Sequence, residues 1–368
     1  MKIAVIGSFA SEIPLRKNQI HAPLLLTYNL SIKMAEMGHQ VTYFGSFNKN
    51  KVSKHKNLKY DNLGYRKYSE NLEQKTTSID IWNYFKLIYE QGYLSKILSK
   101  KDFDIFYSWA AYRVAPLSPM TKKPVVVTHH DSTNMDTYNE MFRSVTRKNL
   151  FNIPLSKYME KRTKHLQKLP YVHNSVPIDQ IPFYEEPKEY FCWLGRIAPA
   201  KGLHIAIDLA IRNKFKLKIA GPIHGNLGDF GIVDKYTEKI KQKINAYPEL
   251  LTYVGVLNQA ESYQLIAKSK GLIFPTDGTE SFSMIVAESI TAGVPVIAFS
   301  NGPIPELVDD KTTGFLCKNI NEMEDAIQKV NEVNRKKCRE IGIQKFNTSR
   351  MAQEYISNFN EAIKATKH

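Results

Sequence analysis

Cysteine is scarce in this chain: three in 368 residues, Cys192, Cys317 and Cys338. An odd number with no metal-type spacing argues against a disulfide framework or a zinc site, and Cys192 and Cys317 sit in apolar runs, as reduced core residues of a cytosolic protein do. No window approaches the ~20 apolar residues that a membrane-spanning helix needs. The opening "MKIAVIGSF" lacks the charged region, long apolar core and small-residue cleavage site of a signal peptide, and reads as a first strand. The expectation is a cytoplasmic chain whose only membrane contact would be peripheral, at the inner face. Acids are also short, at 36 Asp+Glu against 51 Lys+Arg, for a net charge of +15. The shortage is concentrated: residues 1–180 carry 27 basic and 14 acidic side chains, or +13, and the remainder carries only +2. A basic half favours an anionic partner such as nucleic acid, an acidic membrane leaflet or a phosphorylated substrate. Solvated lysines that maintain solubility are the plainer alternative. Nucleic acid is not expected as a partner, because no helix-turn-helix, aromatic sheet motif or zinc spacing accompanies the charge.

What is present is a regular alternation. "KIAVIGSF" is an apolar strand, "APLLLTYNLSIKMAEMGH" is a helical pattern ending at the capping glycine Gly38, and "QVTYFGS", "DIFYSWA" and "KPVVVTHHD" are further strands. "SKYMEKRTKHLQKL" has the pattern of a basic amphipathic helix. The rhythm restarts with "YFCWLGRI", a helix from Lys201, "FKLKIAGP", a polar helix near 230–245, "LTYVGVL", a helix near 259–268, "GLIFPT", a helix near Ser283 and "PVIAF". Short apolar strands alternating with helices make parallel sheets covered on both faces. The fold class is therefore α/β, with two doubly wound domains. "SVPIDQIPFYEEPKEY", with Pro177, Pro182 and Pro187, marks the break. The domains are expected at 1–175 and 176–350. Ligands of such sheets bind at the carboxyl ends of strands, so a cleft between facing sheets is where chemistry is expected.

Two loops carry the residues for it. In "LGRIAPAKG", Arg196 and Lys201 follow a strand. Two cations five positions apart suit a diphosphate that gains charge as it leaves. In "TDGTESFSMIVAESITAGVPVIAF", Glu280 precedes a helix and Glu288 lies inside it. The amides of Ser281–Met284 form a helix N-terminus suited to an anion or to sugar oxygens. The bland reading makes Glu280 a partner of the helix dipole and Glu288 a solvated residue. Yet Glu288 lies between Ala287 and Ser289 in an otherwise apolar helix, and burying it alone would cost several kcal/mol. A ligand is expected to meet it.

These segments resemble retaining nucleotide-sugar glycosyltransferases of family 4, with the two-Rossmann GT-B architecture. "GRIAPAKG", "ESFSMIVAE" followed by "AGVPVIAF", and "GPIPELVDDKTTGFL" carry the likeness. "YVHNSVPIDQIPF" looks like that family's interdomain entry, and "MAQEYISNFNEAI" like its last helix, here within 351–368, which crosses back to the N-terminal domain. The resemblance implies an acceptor-binding first domain and a donor-binding second domain. It places Arg196 and Lys201 on the donor diphosphate, Glu288 on the ribose, and Glu280 on the transferred sugar, beside the amides of Phe282, Ser283 and Met284. Backbone around Gly221 in "GPIHG" and Val254 in "YVGVL" would contact the donor. His130 would face the sugar from the first domain; His129, pointing the opposite way along the strand, would not. The acceptor would attack on the face the diphosphate leaves, with no protein nucleophile, metal or cofactor. The implied activity is transfer of a hexose from a UDP- or GDP-linked donor to an acceptor such as an anionic lipid or glycan, in glycolipid or cell-envelope polysaccharide synthesis.

Two departures from the family pattern stand out. His21-Ala22 occupies the place of a Gly-Gly turn, and "SFS" replaces the commoner Gly-Phe-Gly, leaving Ser281 and Ser283 to cap the helix. The rival readings are a GT-B epimerase, which would turn over without acceptor, and a nucleotide-sugar-binding partner weakened at His21-Ala22, which would not hydrolyse donor. "DFD" at Asp102–Asp104 resembles a metal motif but lies at a helix–strand junction, and Asp309-Asp310 reads as a surface turn; no metal is expected.

Overall fold

The computed structural model describes residues 1–15, 21–65, 79–131, 135–145, 147–222 and 235–367, with backbone alone over 79–86. The chain forms two compact units, Met1–Val172 with Thr348–His368, and His173–Asn347.

The first unit is built on seven parallel strands: β1 (Lys2–Ile6), β2 (Gln40–Phe44), β3 (Leu58–Asp61), β4 (Ile105–Ser108), β5 (Val125–Val127), β6 (Leu150–Asn152) and β7 (Gln167–Lys168). Their order is β3-β2-β1-β4-β5-β6-β7. Ile3, Ala4 and Val5 of β1 and all of Val125–Val127 are completely buried, as strands covered by helices on both faces must be. One face packs Phe106, Val125, Val127 and Leu150 against Phe142 of the helix Met135–Val145. On the other face, Tyr107 meets Tyr355 and Phe359, at ring separations of 5.3 and 5.6 Å. Those two rings belong to the terminal helix Thr348–Thr366. Asn358 of that helix donates to the Pro170 carbonyl at 2.7 Å, so the end of the chain completes the first unit.

The basic segment 156–169 departs from the single helix that its periodicity suggests. Ser156 caps a helix over only Lys157–Arg162, accepting from the Met159 amide. His165 then adopts a left-handed φ of 65°, and Gln167–Lys168 pair with β6 as an edge strand. Leu166 and Leu169 are buried there, so sheet pairing and core contact outweigh the local helical pattern.

The second unit has six parallel strands: β8 (Phe191–Leu194), β9 (Leu217–Ala220), β10 (Leu251–Gly255), β11 (Leu272–Phe274), β12 (Val296–Phe299) and β13 (Gly314–Cys317). They are ordered β10-β9-β8-β11-β12-β13. The order reverses between β8 and β11, and a doubly wound sheet opens its ligand crevice at that switch point. The loops leaving β8 and β11 therefore occupy the position where a site is expected. The three cysteines are free and buried, and burial pushes each thiol up to about 12. No described helix is long and apolar enough to cross a membrane.

Candidate active site

Loop 195–202 leaves β8 and loop 275–283 leaves β11, and backbone contacts tie the two together. The Asp277 amide donates to the Ala200 carbonyl at 3.0 Å, and the Thr276 hydroxyl donates to the same oxygen at 3.2 Å. Trp193, fully buried beneath, donates from Nε1 to the Lys201 carbonyl at 3.2 Å. This frame brings the Lys201 ammonium onto the Glu280 carboxylate, with the two side chains 22% and 13% exposed. Arg196 stands on the same loop, exposed, with no ion pair recorded among the described residues. One paired cation and one open cation thus leave the carboxyl end of β8.

Beyond Glu280, Phe282 is buried against the His173 and Phe346 rings, with centroids at 5.7 and 6.1 Å. It anchors the turn into the helix Met284–Thr291. Ser283 occupies the cap position, but its hydroxyl makes no capping bond, contrary to the role expected of it. Ser281 and Met284 flank the turn, both half-buried.

Glu288 lies on the second turn of this helix and is half-buried. On the helix Gln259–Ala267, Gln259 and Tyr263 share one face at a spacing of four, and Gln259 Nε2 donates to the Tyr263 oxygen at 2.6 Å. Burial pushes the Glu288 carboxyl from 4.5 up to about 8, and the nearby Tyr263 hydroxyl opposes that shift. Its folded state therefore binds the proton that the unfolded chain releases above about 4.5. The contribution of Glu288 to stability falls as pH rises from about 4.5 to about 8 and is constant on either side. The difference in urea-unfolding free energy between wild type and Glu288→Gln should show this fall, with a limiting slope of about 1.4 kcal/mol per pH unit. A difference that stays flat over the window would remove the assignment.

Gly221 and Val254 lie at the ends of the neighbouring strands β9 and β10. Gly221 has φ 136°, and a Cβ there would stand 1.8 Å from the Gly195 oxygen. Its amide donates to the Gly255 carbonyl at 2.9 Å, and its own carbonyl accepts from the Tyr253 hydroxyl at 2.8 Å. Three successive strand ends are thus bonded into one rim, with Val254 half-buried in it. Ile223, His224 and Gly225 of "GPIHG" lie outside the described residues.

His130 belongs to the first unit and follows β5. His129 beside it is buried, its ring against Tyr138 at 4.2 Å and Phe142 at 5.9 Å. Burial above all, then the neighbouring His129 and His21, push His130 down to about 3, so its imidazole is neutral near pH 7. His21 carries out a definite local task. Its Nδ1 accepts from the Leu24 amide at 3.3 Å, capping the helix Ala22–Glu36, and its ring meets Trp109 edge-on at 4.9 Å. Of the discounted acids, Asp104 accepts from the Lys2 amide at 2.8 Å. Asp309 pairs with Lys345 at 2.9 Å, and Asp310 accepts from the Leu316 amide at 3.0 Å. Among the described residues, no three His, Cys, Asp or Glu side chains gather as they would around a metal ion.

Residues 178–346 match the family model "Glycosyl transferases group 1". The second unit belongs to that family. The alpha-1,3/1,6-mannosyltransferase ALG2 of Dictyostelium discoideum is 26% identical over 243 residues, spanning 59% of this chain and just over half, 56%, of that relative. An uncharacterized glycosyltransferase of Methanocaldococcus jannaschii is 24% identical over 314 residues, covering 80% of this chain and 86% of its own. Among solved structures, sucrose-phosphate synthase from Thermosynechococcus elongatus superposes with a TM-score of 0.74 at 16% identity, over 99% of both chains. HepE of Anabaena, in complex with UDP-glucose, does so with a TM-score of 0.69 at 16% identity, over 98% of this chain and 100% of that one. Together with the family match, these structural neighbours give the fold as GT-B, with two Rossmann-like units.

Proposed function

We propose that this protein is a retaining glycosyltransferase of family 4 that moves a hexose from a UDP- or GDP-linked donor to an anionic lipid or glycan acceptor. The observation that carries the proposal is the Lys201–Glu280 pair beside Arg196 at the switch point of the second sheet. Arg196 and Lys201 take the leaving diphosphate, whose charge grows as the glycosidic bond breaks; fixed cations stabilise that charge without reorganising. Glu280 holds Lys201 in place and accepts from hydroxyls of the transferred sugar. Amides of Ser281–Met284 bind donor oxygens at the start of their helix, Glu288 takes the ribose, and backbone near Gly221 and Val254 contacts the nucleoside. The acceptor hydroxyl attacks the anomeric carbon on the face the diphosphate leaves and passes its proton to a departing phosphate oxygen. Configuration is thereby retained without a protein nucleophile. Neutral His130 accepts or donates one hydrogen bond to the sugar. With the diphosphate charge met by two side chains, the reaction runs without a metal and should survive a chelator.

A ligand that binds only the folded state raises its melting temperature. A thermal-shift panel of UDP-, GDP- and ADP-sugars is therefore expected to give one clear stabiliser. If none of the three moves the transition, the donor assignment fails.

The anionic acceptor is supported by the first half's charge and by a hollow of about 520 Å³ on the first unit, walled by Phe47 and Tyr60 and ringed by Lys49, Lys54, His55 and Lys56, with no acid in its lining. In low salt the protein should sediment with vesicles containing anionic lipid and should be released as salt screens the attraction. Protein left wholly in the supernatant at low salt would rule out the lipid form of the acceptor.

A further inference from the structure

Between Phe47 and Tyr60 the chain carries five lysines and no acid. Three of them, Lys49, Lys54 and Lys56, line the hollow of about 520 Å³ on the first unit, and none of the three has a recorded ion pair among the described residues. The rest of the lining is mostly apolar. Val52 and Leu58 are buried, and the Phe47 and Tyr60 rings stand 5.3 Å apart at 39°. Like charges repel, so they stay gathered only where the backbone beneath them is held. Here it is held at three points. The Asn48 amide donates to the Ile13 carbonyl at 2.9 Å, and the Asn48 carbonyl accepts from the Lys51 and Val52 amides, each at 3.0 Å. At mid-loop the Tyr60 hydroxyl donates to the Ser53 carbonyl at 2.9 Å, and the Ser53 amide donates to the Tyr28 oxygen at 2.8 Å. Further on, His55 Nδ1 accepts from the Asn57 amide at 3.2 Å, which leaves Nε2–H as the donor of a ring that also lines the hollow.

We propose that this hollow is a binding site for a sugar phosphate, and that through it the enzyme selects an acceptor carrying a phosphate monoester. The binding site stands on the geometry of the hollow alone; its use for the acceptor rests on the reading given above. Three ammonium groups and a ring N–H on a fixed frame match a group with three oxygens and close to two charges. A phosphate monoester has both, whereas a carboxylate brings two oxygens and one charge. The Phe47 and Tyr60 rings offer apolar surface to the carbon face of the sugar that bears the phosphate. Two other lysines provide the comparison. Lys51 and Lys59 are exposed on the same stretch but do not line the hollow. Lys59 lies between Leu58 and Tyr60 on β3, so its side chain leaves from the opposite face of the strand.

The test is calorimetric titration in low salt with glucose 6-phosphate, inorganic phosphate and glucose. The wild-type protein is expected to bind glucose 6-phosphate several-fold more tightly than inorganic phosphate, and glucose not measurably. Lys54→Ala with Lys56→Ala should weaken glucose 6-phosphate about tenfold, and Lys51→Ala with Lys59→Ala by less than ~twofold, although each pair removes the same charge. All four side chains are exposed, so neither pair should disturb the fold. Equal losses in the two double variants would reveal diffuse attraction to a basic surface and overturn the site. So would glucose 6-phosphate that binds no better than inorganic phosphate. Vesicles containing phosphatidic acid test the other source of the phosphate. A protein that sediments with them, is released by removal of either lysine pair and binds no glucose 6-phosphate has a membrane-facing patch, which also overturns the site. In transfer assays the Lys54/Lys56 variant should raise KM for a phosphorylated acceptor and leave that of its unphosphorylated analogue unchanged; equal changes remove the acceptor role. If glucose 6-phosphate binds in the expected pattern but no nucleotide sugar shifts the melting transition, the donor reading has failed and the phosphate site stands.

Discussion

Arg196→Ala is expected to lower turnover sharply at almost no cost in stability, whereas Lys201→Ala should lower both. Arg196 is exposed and has no recorded ion pair among the described residues, and changes at such surface positions usually stay within about 0.5 kcal/mol. If it grips the leaving diphosphate, the charge-assisted contact is worth about 1.5–3 kcal/mol, which corresponds to a ~10- to 100-fold loss in kcat/KM. Lys201 differs because it also neutralises Glu280, whose side chain is only 13% exposed. Truncating it removes the contact to the diphosphate and strands a partly buried carboxylate, at a cost of about 1–3 kcal/mol to the fold. Adding Glu280→Gln to Lys201→Ala should then recover much of the stability and none of the turnover. Steady-state kinetics with the nucleotide sugar chosen by thermal shift, together with urea unfolding, would separate the two effects. Unchanged kcat/KM in Arg196→Ala would remove it from the site.

The legible part of this protein was the part set by local pattern. Strands such as "KIAVIGSF" and "VVVTHH" are apolar because parallel strands are buried on both faces, and they appear as β1 and β5. The loops holding Arg196, Lys201 and Glu280 could be found because a doubly wound sheet presents strand-to-helix loops at one edge. What could not be read depended on contacts made across long separations. Leu58–Asp61 has one buried residue in four and becomes a strand only through pairing with β2. Segment 156–169 is helical in pattern, but its helix stops at Arg162 and Gln167–Lys168 pair with β6. His21 read as an intrusion where glycines were expected, and its capping bond to Leu24 depends on a rotamer that no residue pattern specifies.

Gly202→Ala should be a severely damaging small substitution in the second unit. Gly202 has φ 69° and joins the turn carrying Lys201 to the helix Leu203–Asn213. A Cβ there would lie 1.9 Å from the Pro275 oxygen and 2.7 Å from its carbonyl carbon. Those are backbone atoms, so no rotamer change relieves the clash; one loop must move off the other. The bonds joining these loops, from Asp277 and Thr276 to the Ala200 oxygen, break with that movement, and the Lys201–Glu280 pair separates. Left-handed strain for a residue with a Cβ adds about 1–2 kcal/mol, so the total should exceed about 3 kcal/mol, the range of structural disruption and not of surface change. Gly255→Ala isolates the strain term. Its φ is 84°, yet a Cβ would meet nothing within 4 Å, so it should cost only that ~1–2 kcal/mol of backbone strain. The difference in urea midpoints between the two variants measures the close approach of the loops. Gly202→Ala should also lose the thermal shift given by the donor nucleotide sugar, because the cation and acid that hold it no longer share one frame. If both alanine variants unfold at the same urea concentration, the loops are not packed as described.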